Sequence, residues 1–464
     1  MTTPISQESK PELFDLAARL KLLLPPLLST QRSSWEQGTC AQAILECHRF
    51  LQDAAISPHA LSLPYDFLQW LYALAHDSLV RQSPDGRLSV LLNGDGTSDA
   101  GALDPACIGE TLYYLCSLEA HNQTLFPSPQ GAVSASLLDG VTKMLEYILE
   151  RCPRAPVVFD GRVQPEGLVL SHRTDAVQIW SDSVYMLSPF LTSAAASRTI
   201  LLFHPLSPKV EQTGTRRSLM RMALEQVILA ADVLQPPRGE WSHIYDFDKR
   251  DFKRAAFWGV GNGWVCCGIV RILSILTSPT TLPFAPYADL DALGLDPRGN
   301  ANLLPLLRRV YDILLTTLRA CLAHILPTSL FPDVLDDPHS FIETNLSQML
   351  AYTLYRLLDL HLHCARFRSL GLPAPADGEV DSWILYAIKM RDAAISRTDP
   401  WGLVRGVCGS PTFDKPGTAA EGQAWAVMME VARAQFMYHK REEFERFLER
   451  EGSHIPIQGS SYKP

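Results

Sequence analysis

The chain lacks most of the short signatures that announce a chemistry. Its 464 residues include ten cysteines, yet no two are spaced CxxC and no HExxH occurs, so the common zinc and redox motifs are absent. There is no GxSxG nucleophile elbow, and the glycines of GVGNG at 259–263 lack both the GxGxxG spacing and a preceding strand pattern. Basic residues are outnumbered, 41 Lys and Arg against 50 Asp and Glu for a formal charge of -9, which argues against nonspecific nucleic-acid binding. A local basic patch could still meet an anionic ligand. No apolar run reaches the length that a bilayer demands. The N-terminus places acidic residues ahead of its leucines and Pro25-Pro26 among them, without a basic n-region or a small-residue cleavage site, and so reads as a poor signal peptide. The sequons at Asn122 and Asn345 mean little without secretion. We expect a soluble, cytoplasmic chain with buried free thiols and neither cofactor nor metal. Its partner is a small molecule or oligosaccharide, with no nucleic acid and no membrane. Oligomeric state is not legible.

What the chain has is helical periodicity, and alternating strand patterns are scarce. Apolar spacing predicts helices over 12–24, 35–51, 64–82, 106–121, 134–151, 176–195, 217–233, 262–276, 304–325, 343–366, 381–395 and 418–437, with a short charged helix at 440–450. Loops rich in Pro, Gly, Asp and Ser separate them at 92–105, 152–171, 235–260, 277–303 and 397–417. About a dozen modest helices joined alternately by short and long loops suit an all-α closed ring of helical hairpins. The breaker-rich stretch 277–303 is flanked by helices of similar character, so we read 1–464 as one domain with an insertion there.

Several segments could carry chemistry. In FWGVGNGW, 257–264, tryptophans offer flat surfaces and glycines let a loop approach a ligand, which suits the stacking of a sugar ring. In VQIWSDSVYM, 177–186, Asp182 follows Trp180 and precedes a core helix. A carboxylate beside tryptophan in a poorly solvated mouth would have its pKa raised, as a general acid needs, but Asp182 could equally cap the helix from Ser183. Asp104 precedes Pro105 and is likewise either an N-cap or a second carboxylate facing Asp182. His172 and His243 sit in polar loops without metal-site spacing, and His361 and His363 point apart on one helix. Thr418 and Glu421 read as a capping box, at a helix N-terminus that could also hold a carboxylate.

Seven segments in order resemble the unsaturated glycuronyl hydrolases of glycoside hydrolase families 88 and 105. They are WEQGTCAQAILE at 35–46, LDPACIGETLYYL at 103–115, HRTDAVQIWSDSVYM at 172–186, SHIYDFD at 242–248, FWGVGNGW at 257–264, FIETNLSQMLAYTL at 341–354 and GTAAEGQAWAVMM at 417–429. The resemblance implies a six-hairpin (α/α)6 barrel. It implies that Asp182 is the general acid and base and that Asp104 is the second aspartate. His172, His243, Trp258 and Trp264 match the family's pocket residues, and Trp35, Trp180 and Asn262 fall within the matching segments as further substrate-binding positions. The reaction it implies protonates the C4–C5 double bond of a terminal unsaturated uronic acid and adds water at C5. The hemiketal then opens and frees the neighbouring sugar.

The chain departs from the family pattern at Val260, where related hydrolases commonly carry an arginine. Losing that guanidinium would remove five donors and a fixed charge from the pocket. A uronate carboxylate then needs another partner, with Arg254, Arg405 and the helix N-terminus at Thr418 as candidates; otherwise the substrate is less anionic. Two other readings stay open. The scaffold could serve another acid-catalysed reaction, such as alkene protonation, cyclisation or isomerisation in a biosynthetic pathway, or it could be a noncatalytic binding protein.

Overall fold

The computed structural model describes residues 10–90, 99–121, 132–159, 162–197, 216–277, 288–299, 301–376, 378–410 and 413–452. Twelve long helices among these residues form six successive hairpins. The first member of each is α1 (Pro11–Thr30), α3 (Phe67–Val80), α5 (Ala132–Glu146), α7 (Arg216–Leu234), α9 (Leu304–Leu322) and α11 (Glu379–Ser396). The second members are α2 (Ser34–Asp53), α4 (Gly109–His121), α6 (Ser183–Ala196), α8 (Gly259–Thr277), α10 (Asn345–His363) and α12 (Ala420–Gly452).

The second members form the inner ring. Each packs on the next, α2 on α4, then α6, α8, α10 and α12, and α12 returns to α2, so the ring closes. The first members lie outside: α7 against α6, α9 against α8, α11 against α10, and α1 against α12. The sequence explains this sorting. Helix α9 buries Leu307, Val310, Tyr311, Leu314, Leu318 and Cys321 at three- and four-residue spacing and exposes Arg308, Arg309 and Asp312, as an outer helix should. Helix α8 is mostly apolar and buried over nearly its whole length. It has the length and hydropathy of a membrane span, contrary to the expectation from sequence, but 89% of that window is buried within the ring.

Helices α6 and α8 approach unusually closely. A Cβ on Gly268 would come within 2.9 Å of the Val184 carbonyl oxygen and of the Tyr185 backbone, so only glycine fits there. Below the mouth, the ring interior is filled by an aromatic cluster. Trp264 and Trp425 pack on Tyr185 at ring distances of 4.8 and 5.3 Å, and Tyr352 packs on Trp425.

Four expectations need correction. The predicted helix 176–195 is a strand, β3 (Gln178–Trp180), followed by α6, because Gln178–Trp180 pairs with β4 (Ile244–Asp246). The loop regions 152–171 and 235–260 contain the antiparallel pairs β1 (Arg154–Phe159) with β2 (Arg162–Leu170), and β4 with β5 (Asp251–Arg254). Helix α1 runs past Pro25 and Pro26 to Thr30, where the Ser29 and Thr30 hydroxyls donate to the two proline carbonyls at 2.7 and 2.8 Å. The two C-terminal helices are one continuous α12. A last pair, β6 (Phe331–Pro332) with β7 (Ile342–Glu343), precedes α10. Within the 277–303 stretch, residues 288–299 bury Leu293 and Leu295 completely, while 278–287 and 300 lie outside the described residues.

Candidate active site

All six inner helices run in the same direction, so their N-termini converge on one mouth of the ring. Trp35 lies in the first turn of α2, Asp104 opens a short turn ahead of α4, Asp182 precedes α6, Trp258 precedes α8, and Glu421 lies in the first turn of α12. They surround an open pocket of about 210 Å3. Unpaired N–H groups and helix dipoles give such a mouth a positive character that favours anions.

The β3–β4–β5 sheet holds one side of this mouth. Its register places Trp180 opposite Ile244, and the Ser181 N–H donates to the His243 carbonyl at 2.9 Å, tying the two loops together. The His172 ring stacks on Trp180 at 4.5 Å and 12°, while His243 meets the other side of the group, edge-on to Trp180 at 5.5 Å and 4.5 Å from Trp258. The two histidines each face one aspartate. His172 Nε2 lies 3.0 Å from Asp104 Oδ1, and His243 Nε2 lies 3.3 Å from Asp182 Oδ2, the latter off the line of a straight hydrogen bond.

Asp182 occupies the N-cap position of α6, but its side chain does not cap the helix. Its Oδ2 instead accepts from the Ser181 hydroxyl at 3.1 Å and faces His243. The capping alternative is thereby set aside. Asp104 likewise turns its carboxylate to His172.

Proton positions follow from the partners. Arg254 Nη1 lies 3.1 Å from His243 Nδ1, and since a guanidinium only donates, Nδ1 is the acceptor and the proton sits on Nε2, facing Asp182. Burial, which outweighs Asp182, together with the Arg254 charge holds His243 below the usual histidine range, so it is neutral. His172 behaves oppositely. Burial alone would lower it, but the charge and hydrogen bond of Asp104 carry it above the usual range, while its Nδ1 meets the Ser183 hydroxyl at 3.0 Å. The raised pKa expected of Asp182 is not found. Burial pushes it up, but the His243 imidazole 3.3 Å away and the positive charge on His172 outweigh burial and hold it below the ordinary carboxylate value. The carboxylate is the resting form.

Eight of the predicted site residues line the pocket: the two aspartates, the two histidines, and Trp35, Trp180, Trp258 and Trp264. Two do not. Asn262 is fully buried, and its amide is spent on the Trp241 N–H (2.8 Å) and on the Trp241 and Trp258 carbonyls (3.1 and 2.9 Å), so it builds the loop and is not free for a substrate. Arg405 is half exposed and turned outward onto Asp399, with Nε at 2.9 Å. Val260, the departure from the family pattern, is 1% exposed and is not among the lining residues. Thr418 lies two residues before α12 and Glu421 faces the pocket, so the expected capping box does not form.

Sequence reasoning did not select Met186, Ile244, Phe413 or Glu421 as wall residues. Met186 could have been found, one helical turn after Asp182 on the same face. Phe413, edge-on to Trp258 at 6.5 Å, hangs from a loop whose path no periodicity reveals. Arg254, one of three candidates for the missing cation, does line the pocket and lies 5.4 Å over the Trp258 ring.

No family model matches the chain, and no curated protein matches it by sequence. Solved structures do match along nearly all of it. One is described as a possible member of glycoside hydrolase family 105 from Klebsiella pneumoniae, with 15% identity, 94% of this chain and 95% of that chain covered, and a TM-score of 0.59. A glycoside hydrolase from family 105 of C. acetobutylicum shares 15% identity over 91% and 98% of the two chains, with a TM-score of 0.54. An unsaturated glucuronyl hydrolase specific for heparin shares 8% identity over 93% and 98%, with a TM-score of 0.52. The chain has their fold. It is an (α/α)6 six-hairpin barrel, as the order of its seven segments predicted. At these identities, what the pocket does has to be argued from its own residues.

Proposed function

We propose that the chain is a glycoside hydrolase-like enzyme that hydrates the C4–C5 double bond of a terminal unsaturated uronic acid in an oligosaccharide. The observation that carries this reading is the coupling of Asp182 to a neutral His243 whose tautomer Arg254 fixes, inside an aromatic-walled mouth. The fold shared with an unsaturated glucuronyl hydrolase supports it.

In the empty pocket Asp182 is ionised. An entering uronate carboxylate adds a like charge nearby and draws a proton onto Asp182. Asp182 then gives that proton to C4, the C4=C5 electron pair forms the new C–H bond, and positive charge spreads over C5 and the ring oxygen. Water attacks C5 and returns a proton to the Asp182 carboxylate, leaving a hemiketal. The hemiketal opens, C1 becomes a hemiacetal, and the neighbouring sugar departs as the free alcohol. His243, whose Nε2–H faces the Asp182 Oδ2 at 3.3 Å, keeps that oxygen oriented through both transfers. Asp104 is paired with His172 and supports the positive side of the pocket without moving the proton itself. The tryptophan faces stack the sugar ring. Arg254, with the helix N-termini, is the cation for the uronate carboxylate in place of the arginine lost at 260.

The test is direct. Unsaturated galacturonyl-rhamnose or unsaturated chondroitin disaccharide should lose the ultraviolet absorbance of its conjugated double bond on incubation with the protein. Unchanged absorbance of both at high enzyme concentration would reject the proposal. A second reading, an acid-catalysed reaction of a less anionic small molecule, is favoured by the apolar wall of Met186, Ile244 and Phe413. In that case Asp182→Asn would abolish turnover of an uncharged alkene while neither disaccharide reacts.

A further inference from the structure

Helix α12 lies across the six-membered inner ring from α6, so Glu421 stands on the wall opposite Asp182. No step of the mechanism uses it. Glu421 is 3% exposed, and its Oε2 is buried with no hydrogen-bond partner although the residue lines the pocket. A buried carboxyl oxygen left unpaired costs free energy unless something arrives to pair it. The rest of the carboxyl is held firmly. A Cβ on Gly409 would come within 2.9 Å of its Oε1, so the backbone at Gly409 packs against it closely enough to exclude any side chain.

Among the described residues, no uncommitted cation stands beside it. The neighbouring charges are Glu36 on α2 and Arg32 just before α2, and Arg32 is already committed to Glu36, with Nε 2.7 Å from Oε2. The charged groups across the pocket are paired too: His172 with Asp104, and Arg254 with His243 beside Asp182. We infer that Glu421 is a ligand-binding residue of this pocket, donating the O–H of its carboxyl to a hydroxyl oxygen of the bound sugar on the side away from Asp182. Burial, reinforced by Glu36, pushes its pKa up to about 8 against the pull of the α12 N-terminus and Trp35, so the donor is present at neutral pH and is lost above it.

This inference rests on the sugar-binding reading above, and its test separates the two. Binding of unsaturated galacturonyl-rhamnose would be measured by calorimetry from pH 6 to 9.5 in the Asp182→Asn protein, which should bind without turning over. Glu421→Gln and Glu421→Ala would be added to it. Glutamine keeps a neutral donor of the same shape, so it should bind within about twofold of the reference, while alanine should weaken binding about tenfold, the worth of one neutral hydrogen bond. The reference should lose affinity as pH passes about 8, and Glu421→Gln should be flat across that range. Glutamine binding as weakly as alanine, alanine binding as well as the reference, or a pH dependence that survives in Glu421→Gln would each overturn the inference. The Gln arm stands alone if the Ala protein fails to fold. Should the reference not bind the disaccharide, the proposed function fails, and the same series is read with rhamnose and saturated galacturonate. The same Glu421 pattern on either sugar sustains the inference, and no binding of either overturns it as well.

Discussion

Arg254 reaches the reacting centre through His243, and its substitution should reveal both of its roles. Replacing it by methionine removes the donor at Nδ1, so the imidazole is free to move its proton away from Asp182. It also removes the cation offered to a uronate. We expect Arg254→Met to raise KM for an unsaturated uronyl disaccharide and to lower kcat, each by about tenfold, the usual scale for losing a charge-assisted contact. Steady-state kinetics on the disaccharide checks this, and an unchanged KM would remove Arg254 from the carboxylate site. Glu421 makes a separate prediction about stability. Its folded pKa of about 8 lies above the ordinary 4.5, so the stability linked to its proton is complete below 4.5 and is lost as pH rises towards 8. Glu421→Gln cannot ionise. Its urea unfolding free energy should match wild type near pH 4 and exceed it by a few kcal/mol at pH 8, at about 1.4 kcal/mol per pKa unit. Equal stability at pH 8 would mean that Glu421 is ionised in the fold. The sequence made the aspartates visible because each sits by a helix start, and the histidines because each sits in a polar loop ahead of aromatic or acidic neighbours. It could not reveal which way Glu421 points, since a glutamate in the first turn of a helix serves equally as a cap, and only the closing of α12 onto α2 turns it inward.

At the scale of elements, the site depends on how closely α6 and α8 approach. Asp182 immediately precedes α6 and Trp258 immediately precedes α8, so the separation of these helices sets the distance across one wall of the pocket. Gly268 against the Val184–Tyr185 backbone fixes that separation, and no flexible side chain can yield there. Gly268→Ala should therefore destabilise the protein by about 1–3 kcal/mol and reduce kcat even though residue 268 is remote from the pocket. Chemical denaturation together with turnover checks it; wild-type stability would show that the two helices can separate freely. The helices themselves were legible wherever one face was apolar, as in α9, or where nearly the whole segment was, as in α8. Strand β3 was not. Its three residues run into a helix without a break in apolar pattern, and only pairing with β4, some sixty residues later, makes them a strand. Helix α1 was cut short for a related reason, because local rules stop a helix at Pro25-Pro26 while the hydroxyls of the next turn and the packing against α12 carry it on.

The whole molecule turns six parallel inner helices into one electrostatic device. Their N-termini meet at a single mouth, and the pocket's carboxylates, histidines and tryptophans all hang from those termini or from the β3–β4–β5 sheet beside them. Asn262 and Arg405 show where sequence alone stops. Both fall in segments that approach the mouth, but Asn262 is consumed in building the loop and Arg405 faces outward to Asp399. Ring order was readable from the succession of seven segments; the orientation of single side chains at the rim was not. If this mouth protonates an unsaturated uronyl ring through Asp182, the double bond must disappear only while that carboxyl is present. Unsaturated galacturonyl-rhamnose and unsaturated chondroitin disaccharide are each incubated with wild type and with Asp182→Asn, and the ultraviolet absorbance of the double bond is followed. Wild type should erase the absorbance of at least one of them, and Asp182→Asn, folded as judged by its melting, should do so about 10²- to 10⁴-fold more slowly. Full activity in the asparagine protein, or no loss with wild type on either disaccharide, would contradict the account.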